Sequence, residues 1–183
     1  MGNFYEQALD DLKAVFRGLD DAYVENAITV IKDANRISFY GCGREGLQIK
    51  GFCMRLFHLG LDVSMVGDMT TPHIGKGDLL VVTAGPGNLP TGMALIGAAK
   101  KAGASIMVVT AQPQSPIALE ADHLLVIPAQ TMANDQGGGV SVLPMGSLFE
   151  GAEYVLFEAM VLRLRDVLGE TAETMRTRHT NLE

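Results

Sequence analysis

The stretch ISFYGCGRE, residues 37–45, is an apolar run that ends in glycines and leads directly into a helical pattern. A strand, a glycine turn and a helix in this order place free backbone N–H groups at a helix N-terminus, where α/β proteins bind anions. A second turn of this kind follows the apolar run at 79–83 and reads Ala84-Gly85-Pro86-Gly87-Asn88. We expect both turns to line one pocket that the rest of the chain positions or closes.

The composition of the chain is typical of a globular domain. Its 183 residues are 48% hydrophobic, and glycine occurs without a repeat period, which favours one domain over residues 1–183. The net charge is -7 at pH 7, and no run of Lys or Arg is present. We therefore expect neither a nucleic acid nor an anionic membrane surface as a partner.

The N-terminal residues and the cysteines predict a cytoplasmic protein. Asn3-Phe4-Tyr5-Glu6 begins an amphipathic helix rather than an export signal, and no apolar run reaches the ~18 residues that span a bilayer. Cys42 and Cys53 have neither metal nor redox spacing, so we expect reduced thiols. His73 and His123 lack a partner at metal-ligand spacing, so no metal site is predicted.

Strand and helix patterns alternate through the middle of the chain. Short apolar runs predict strands at 37–40, 63–66, 78–83, 105–110 and 123–127. A helix over 47–59 separates the first two, and Asn88 is the expected N-cap of the helix after the third. This alternation predicts an α/β fold, a doubly wound five-stranded parallel sheet flanked by helices. The ligand site of such a sheet lies at the carboxyl ends of its strands.

The segments outside this core have patterns of their own. The predicted parts are an N-terminal helical hairpin (1–35), the α/β core (36–129), an active-site loop (130–146) and C-terminal helices (147–183). Such a hairpin often packs between subunits, which indicates an oligomer. The loop contains Gly137-Gly138-Gly139 and is a candidate lid. The C-terminal helices are expected over 147–168 and 173–179.

Six local motifs match one known family. They are Gly41-x-Gly43-Arg44-x-Gly46, MRLFHLG at 54–60, TTP at 70–72, GDL at 77–79, PMGSLFE at 144–150 and RHTNLE at 178–183. With these motifs the chain resembles the sugar isomerase (SIS) domain family and, within it, the 6-phospho-3-hexuloisomerase branch. The MGSLFE stretch and the HxNLE ending are specific to that branch. The resemblance implies a three-layer α/β sandwich, usually a homotetramer, without metal or nicotinamide cofactor.

The resemblance also implies a reaction. This family interconverts D-arabino-hex-3-ulose 6-phosphate and D-fructose 6-phosphate, so the implied partner is a small sugar phosphate. The reaction moves one proton between C2 and C3 through an enediolate. It needs a base near both carbons, a donor for the developing oxyanion and a group that holds the phosphate.

Three residues carry the implied catalysis. Glu150 matches the proton-moving base, His58 matches a histidine near the site, and His179 lies in a tail that in this family approaches a neighbouring subunit's pocket. Each has an alternative explanation. Ser147-x-x-Glu150 is also a capping box at the start of the long helix. A histidine such as His58 is favoured at a helix C-terminus, and His179 is equally a solvated chain end.

The substrate-binding candidates lie in the two turns and at one strand end. They are Gly41, Cys42, Gly43, Arg44, Glu45, Asp68, Ala84, Gly85, Pro86, Gly87 and Asn88. Asp68 either binds sugar hydroxyls or initiates a turn. Arg44 either binds an anion at the helix start or pairs with Glu45. Cys42 is expected to fill a tight turn rather than act as a nucleophile, because no base adjoins it in the sequence.

Both turns depart from the family pattern at the positions that hold the phosphate. Glu45 stands where the family has serine, and Ala84-Gly85-Pro86-Gly87-Asn88-Leu89 replaces Ser-Gly-Ser-Gly-Glu-Thr. Every hydroxyl is lost, and Pro86 has no backbone N–H. Either Arg44 neutralises Glu45, or Glu45 points away from the phosphate. Two alternatives follow: an isomerase of a different or unphosphorylated keto sugar, and a non-catalytic SIS ligand-binding module.

Overall fold

Five parallel strands form one sheet in the computed structural model, which describes residues 3–136 and 139–182. The strands are β1 (Ile37–Tyr40), β2 (Val63–Met65), β3 (Leu79–Thr83), β4 (Ser105–Thr110) and β5 (His123–Val126). Their order is β2-β1-β3-β4-β5, and Ile37 pairs with Val63 on one side and with Leu79 on the other. The strand order reverses between β1 and β3, which is where sheets of this kind bind ligands.

Helices cover both faces of the sheet. Within the described residues they are α1 (Phe4–Arg17), α2 (Asp21–Asp33), α3 (Gly43–His58), α4 (Pro90–Ala102), α5 (Pro116–Leu119), α6 (Ser147–Leu168) and α7 (Ala172–Thr177). Successive strand residues point to opposite faces, so Val81 packs in the layer of α3 and α6 while Val82 packs in the layer of α4 and α5. All of β3 is buried as a result. The predicted doubly wound α/β fold is confirmed.

Two helices begin at positions other than those predicted. The helix α3 starts at Gly43 rather than at residue 47, so the first glycine turn is part of the helix itself. The helix α4 starts at Pro90 with Leu89 in the N-cap position, so the prediction of Asn88 as its cap is wrong. Proline suits this first helical position because its missing N–H would have no partner there.

The N-terminal hairpin packs against the long helix. Both α1 and α2 contact α6, and α2 also contacts β5. Asn3 and Asp20 cap the two helices, accepting the backbone N–H groups of Tyr5 at 3.0 Å and Ala22 at 2.9 Å. The outer face of α1 leaves Phe4, Tyr5 and Leu9 exposed. This apolar face is available for contact with another chain.

Three residues singled out in the sequence analysis are not described by the structure. Gly137 and Gly138 of the predicted lid, and Glu183 of the family ending, lie outside the described residues. Across residues 3–136 and 139–182, every helix is too short or too polar to cross a bilayer.

Candidate active site

The two glycine turns meet at the carboxyl ends of β1 and β3. A Cβ on Gly41 would lie 2.5 Å from Thr83 Cγ2, and one on Gly46 would lie 2.6 Å from the carbonyl oxygen of Gly41. The start of α3 therefore packs directly on the end of β3, and glycine permits this approach because it has no side chain. Residues of both turns line one cleft of about 170 Å³. They are Cys42, Glu45, Thr83, Ala84, Pro86, Asn88 and Leu89.

Arg44 ties the start of α3 to the start of α6. Its Nη1 donates to Ser147 Oγ at 2.7 Å, its Nη2 donates to the carbonyl oxygen of Met145 at 2.6 Å, and its Nε lies 3.1 Å from Glu150 Oε2. The alternative in which Arg44 pairs with Glu45 is therefore wrong. The Arg44 side chain is 49% exposed, so this cation also faces the solvent from which an anionic ligand would arrive.

Glu150 is the ion-pair partner of Arg44 rather than a helix cap. The N-cap of α6 is Gly146 at φ +83°, without a side-chain capping bond, and Ser147 is already the first helical residue. The alternative capping box of Ser147 and Glu150 is wrong for this reason. The Glu150 side chain is only 14% exposed. Its burial raises the pKa of the carboxyl, and the charge of Arg44 opposes that rise.

Glu45 turns its carboxyl toward the second glycine turn. Its Oε2 accepts the hydroxyl of Thr83 at 2.9 Å and the backbone N–H of Gly85 at 2.8 Å. A Cβ on Gly85 would lie 2.7 Å from the ring of Phe149 and 3.0 Å from Glu45 Oε1, so only glycine permits this approach. Burial raises the pKa of Glu45, while the two hydrogen bonds lower it. The carboxyl occupies a backbone donor that the turn would otherwise offer to an anion.

Glu153 is a residue of this region that the sequence interpretation missed. It lies on α6 at 0% exposure, within hydrogen-bonding reach of Thr83 Oγ1. Burial raises its pKa well above the ordinary value of 4.5, and the nearby charge of Glu45 raises it further. The sequence did hold a signal, since Glu153 falls on the same helical face as the apolar Phe149 and Leu156. A fully buried glutamate is rare unless it is paired with another polar group.

A larger groove of about 620 Å³ adjoins the cleft. It shares Asn88 and the neighbouring turn residues with the cleft, and the loop after β4 supplies Gln112, Gln114 and Ser115. Amide and hydroxyl groups both donate and accept hydrogen bonds without carrying charge. Sugar hydroxyls need such partners, so the groove suits the polyol part of a ligand.

Cys42 lies at the mouth of the cleft, beside an aromatic hydroxyl. Its Sγ lies 3.2 Å from the hydroxyl oxygen of Tyr40. This contact and burial raise the pKa of Tyr40. In the described part of the chain Cys42 has no hydrogen bond to a carboxyl or an imidazole, the groups that would activate it as a nucleophile.

His58 and His179 lie together at the opposite end of α3. Their rings stack with centroids 5.2 Å apart, and Arg178 Nη1 donates to the carbonyl oxygen of His58 at 2.9 Å. Fifteen helical steps separate Gly43 from His58, which is about 22 Å at the rise of an α-helix. Within one chain, these histidines are therefore far from the cleft.

Asp68 is also separate from the cleft. It is exposed just after β2, where it lines a surface groove with Lys50 and Met54. Its carbonyl oxygen accepts the backbone N–H of Thr71 at 3.0 Å, as expected for a turn residue. No group of three His, Cys, Asp or Glu side chains among residues 3–136 and 139–182 is placed to hold a metal ion.

Comparisons with known proteins identify the family. The model of the SIS domain family matches residues 30–150, more than half of the chain. This chain belongs to the SIS domain family. A 3-hexulose-6-phosphate isomerase of Methylomonas aminofaciens is 38% identical to this SIS protein over 186 residues, covering 100% of both chains. A 3-hexulose-6-phosphate isomerase of Mycobacterium gastri is 42% identical over 153 residues, covering 84% of this chain and 76% of the relative.

A solved structure supports the fold. A hypothetical protein of Methanococcus jannaschii, whose crystal structure led to an inferred function of 3-hexulose-6-phosphate isomerase, superposes with a TM-score of 0.84. The two chains share 24% identity, and the match covers 98% of each. The family and fold implied by the motifs are thus confirmed.

Proposed function

We propose that this protein is a sugar-phosphate isomerase that interconverts D-arabino-hex-3-ulose 6-phosphate and D-fructose 6-phosphate through an enediolate. The observation that carries the proposal is the Arg44–Glu150 pair at the strand ends of a chain 38% identical, over its whole length, to a 3-hexulose-6-phosphate isomerase. These relatives favour this reaction over an unphosphorylated substrate and over a non-catalytic module.

Glu150 is the proposed base. In the forward direction its carboxylate takes the proton from C2 of the hexulose, and the acid so formed gives a proton to C3 of the enediolate. A carboxyl whose pKa is raised by burial suits this exchange, because its protonated and ionised forms are closer in free energy at neutral pH. The guanidinium of Arg44, which lies beside it, stabilises the negative charge that develops on the enediolate oxygens.

The remaining expectations complete the proposal. The cleft and the adjoining groove bind the sugar chain, with residues 130–146 as the active-site loop of a single SIS domain. The active form is a homotetramer, supported by the exposed apolar residues of α1. The compartment is the cytoplasm, which fits two cysteines present as free thiols. Binding of nucleic acid or membrane is not expected at a net charge of -7.

A carboxyl-to-amide change tests the proposal. Glu150→Gln removes the proton acceptor but keeps the shape, so formation of fructose 6-phosphate should fall by about 10²–10⁴-fold. Asp166→Asn is the matched control, because Asp166 is an exposed carboxyl on the same helix. The Glu150→Gln protein should keep its oligomeric state and melting temperature. Wild-type turnover by Glu150→Gln would remove Glu150 from the mechanism, and an inactive wild-type protein would reject the function.

A further inference from the structure

Glu45 is the carboxyl residue that lines the cleft, whereas Glu150 lies against Arg44 beside it. Behind Glu45, in the core, lies Glu153 at 0% exposure. Glu45 and Glu153 both contact one hydroxyl, that of Thr83. We call Glu45, Thr83 and Glu153 the carboxyl cluster. It connects the cleft wall to the protein interior.

The number of hydrogens available for the two contacts determines the charge of the carboxyl cluster. A threonine hydroxyl has one hydrogen, so Thr83 cannot donate to both carboxyls at once. The second contact needs a protonated carboxyl that donates to the hydroxyl oxygen. Two ionised carboxylates in one buried site would also repel each other, which keeps one of them protonated. The two carboxyls of the cluster therefore hold one proton between them and carry one negative charge.

The proton belongs on Glu153. Glu45 Oε2 receives the N–H of Gly85 at 2.8 Å as well as the hydroxyl of Thr83, and two donors suit an ionised carboxylate. Glu153 has no solvent contact, and its Oε2 has no hydrogen-bond partner among the described residues. A carboxyl in that position is stable only in its neutral form. Its O–H then donates to Thr83 Oγ1, and Thr83 donates to Glu45.

The charged groups around Glu153 agree with this placement. The carboxyl of Glu45 on α3 and that of Glu150 on α6 both act on it as like charges. The guanidinium of Arg44 acts on Glu150. Burial and the charges of Glu45 and Glu150 hold the pKa of Glu153 well above its usual value.

We propose that Glu45 is a second catalytic carboxylate of this site, and that Glu153 acts through Thr83 as the positioning residue that keeps Glu45 ionised and fixed in orientation. This proposal rests on the isomerase function proposed above and names a further group for it. No hydrogen bond to Glu45 Oε1 is seen among the described residues. That oxygen is the one that meets the substrate hydroxyl.

The proton transfers balance without another reactant. While Glu150 moves the carbon-bound proton from C2 to C3, the hydroxyl proton must move from O2 to O3. The carboxylate of Glu45 accepts the proton from O2, and the acid so formed returns it to O3. Glu45 is again a carboxylate when fructose 6-phosphate leaves, and Glu153 keeps its own proton throughout.

Infrared spectroscopy tests the proton on Glu153 without any substrate. A protonated carboxyl has a C=O stretching band that an ionised carboxylate lacks. The difference spectrum between the wild-type protein and Glu153→Gln at pH 7 should show the loss of that band. Glu120→Gln is the control, because Glu120 is an exposed carboxylate paired with Lys100, and it should leave the band in place. A wild-type spectrum without the band overturns the assignment.

Kinetics test the role of Glu45. Glu45→Gln should lower kcat about 100-fold or more, with a smaller change in KM. Thr83→Val removes one donor from Glu45, so the acid limb of the kcat/KM profile should move to higher pH, and Thr83→Ser should restore it. Glu153→Gln should leave the acid limb of the kcat/KM profile near its wild-type pH, because the new amide N–H donates to Thr83 as the protonated carboxyl does. Melting temperatures show that each variant is folded.

The outcomes separate this inference from the proposed function. If Glu150→Gln is inactive but Glu45→Gln retains wild-type kcat, Glu45 is not catalytic and the isomerase function stands. An unchanged acid limb in Thr83→Val overturns the positioning role. If the wild-type protein does not turn over the hexulose phosphate but shows the infrared band, the function and the catalytic role of Glu45 both fall. The proton on Glu153 would still be supported.

Discussion

Glu153 shows how one buried carboxyl makes stability depend on pH. Its pKa is well above 4.5 in the folded protein because burial disfavours the charge. As the pH rises above about 4.5, the unfolded chain loses this proton while the folded chain keeps it, so the free energy of unfolding falls until the folded-state pKa is passed. Glu153→Gln keeps the contact with Thr83 and has no proton to lose. We expect this variant to be more stable near neutral pH.

Unfolding measured between about pH 5 and about pH 8 checks this expectation. The wild-type curve should fall relative to that of Glu153→Gln as the pH rises, and each kcal/mol gained corresponds to about 2–4 °C in Tm for a chain of this length. Parallel curves for the two proteins would mean that Glu153 is ionised in the folded state.

Gly41 is a glycine that the packing of the two turns requires. An added Cβ would meet Thr83 Cγ2 at 2.5 Å and the Cα of Gly46 at 3.1 Å, so Gly41→Ala should cost about 1–3 kcal/mol. Gly97 is the matched control, because it lies in α4 with no atom within 4 Å of its added Cβ. Gly97→Ala should instead stabilise the helix by about 0.5–1 kcal/mol. Urea unfolding of both variants measures the difference, and equal effects would contradict the packing argument.

Among the elements, the strands and the long helix were predictable from local pattern. The bounds of β1, β4 and α6 agree with the expected ranges, because short apolar runs mark the two strands and Gly169 marks the end of the helix. The start of α3 was missed, since a Gly-Cys-Gly turn does not show where helical geometry begins. The failed capping box of Glu150 has a similar cause: the positive φ of Gly146 is a backbone property that residue types alone do not reveal.

The candidate site was predictable in position but not in its contacts. The two turns and the cleft between them follow from the doubly wound topology. The orientation of Glu45 depends on Thr83 and Gly85, which are about forty residues away in sequence, and no local pattern encodes such a contact. Glu153 was missed because a single carboxyl in a helix is usually solvated, and its burial depends on α3 and β3 packing over it.

The turn between β3 and α4 gives a prediction about phosphate. Glu45 occupies the N–H of Gly85, and Pro86 lacks an N–H. Glu45→Ser combined with Pro86→Ser frees the backbone N–H of Gly85, restores a backbone N–H at position 86 and removes a negative charge. The repulsion removed is worth about 1–4 kcal/mol at intermediate dielectric, so inorganic phosphate should bind about 5-fold more tightly or better.

Calorimetric titration of the double variant and of each single variant measures this effect independently of turnover. The two substitutions share one turn, so their contributions are expected to be non-additive. Unchanged phosphate affinity in the double variant would show that the turn does not limit anion binding.

At the scale of the whole molecule, two apolar surfaces have no partner among the described residues. One is the α1 face with Phe4, Tyr5 and Leu9, and the other lies on α3 and α6 with Met54 and Tyr154. A tetramer of D2 symmetry needs at least two kinds of two-fold interface, so two separate surfaces fit the proposed assembly.

Charges placed on these surfaces should dissociate the proposed tetramer in steps. Leu9→Glu and Met54→Glu should each give dimers, and the double variant should give monomers. Leu119→Glu is the control, because Leu119 is an exposed apolar residue on α5, away from both surfaces. Analytical ultracentrifugation measures the masses. A monomeric wild-type protein would contradict the assembly.

The position of His179 decides whether an active site is shared between chains. It lies with His58 at the far end of α3, about 22 Å along the helix from the glycine turn. If His179 takes part in the isomerisation, it must reach the cleft of a neighbouring subunit.

His179→Ala and Glu150→Gln should then each be inactive alone but regain activity when the two proteins are unfolded together and reassembled. Some sites in the mixed oligomers would combine an intact Glu150 from one chain with an intact His179 from another. A mixture with the double variant Glu150→Gln/His179→Ala in place of one partner has no such sites and should stay inactive. Full activity of His179→Ala alone would place the histidine outside the chemistry, and failure of the mixed oligomers to regain activity would confine each site to one chain.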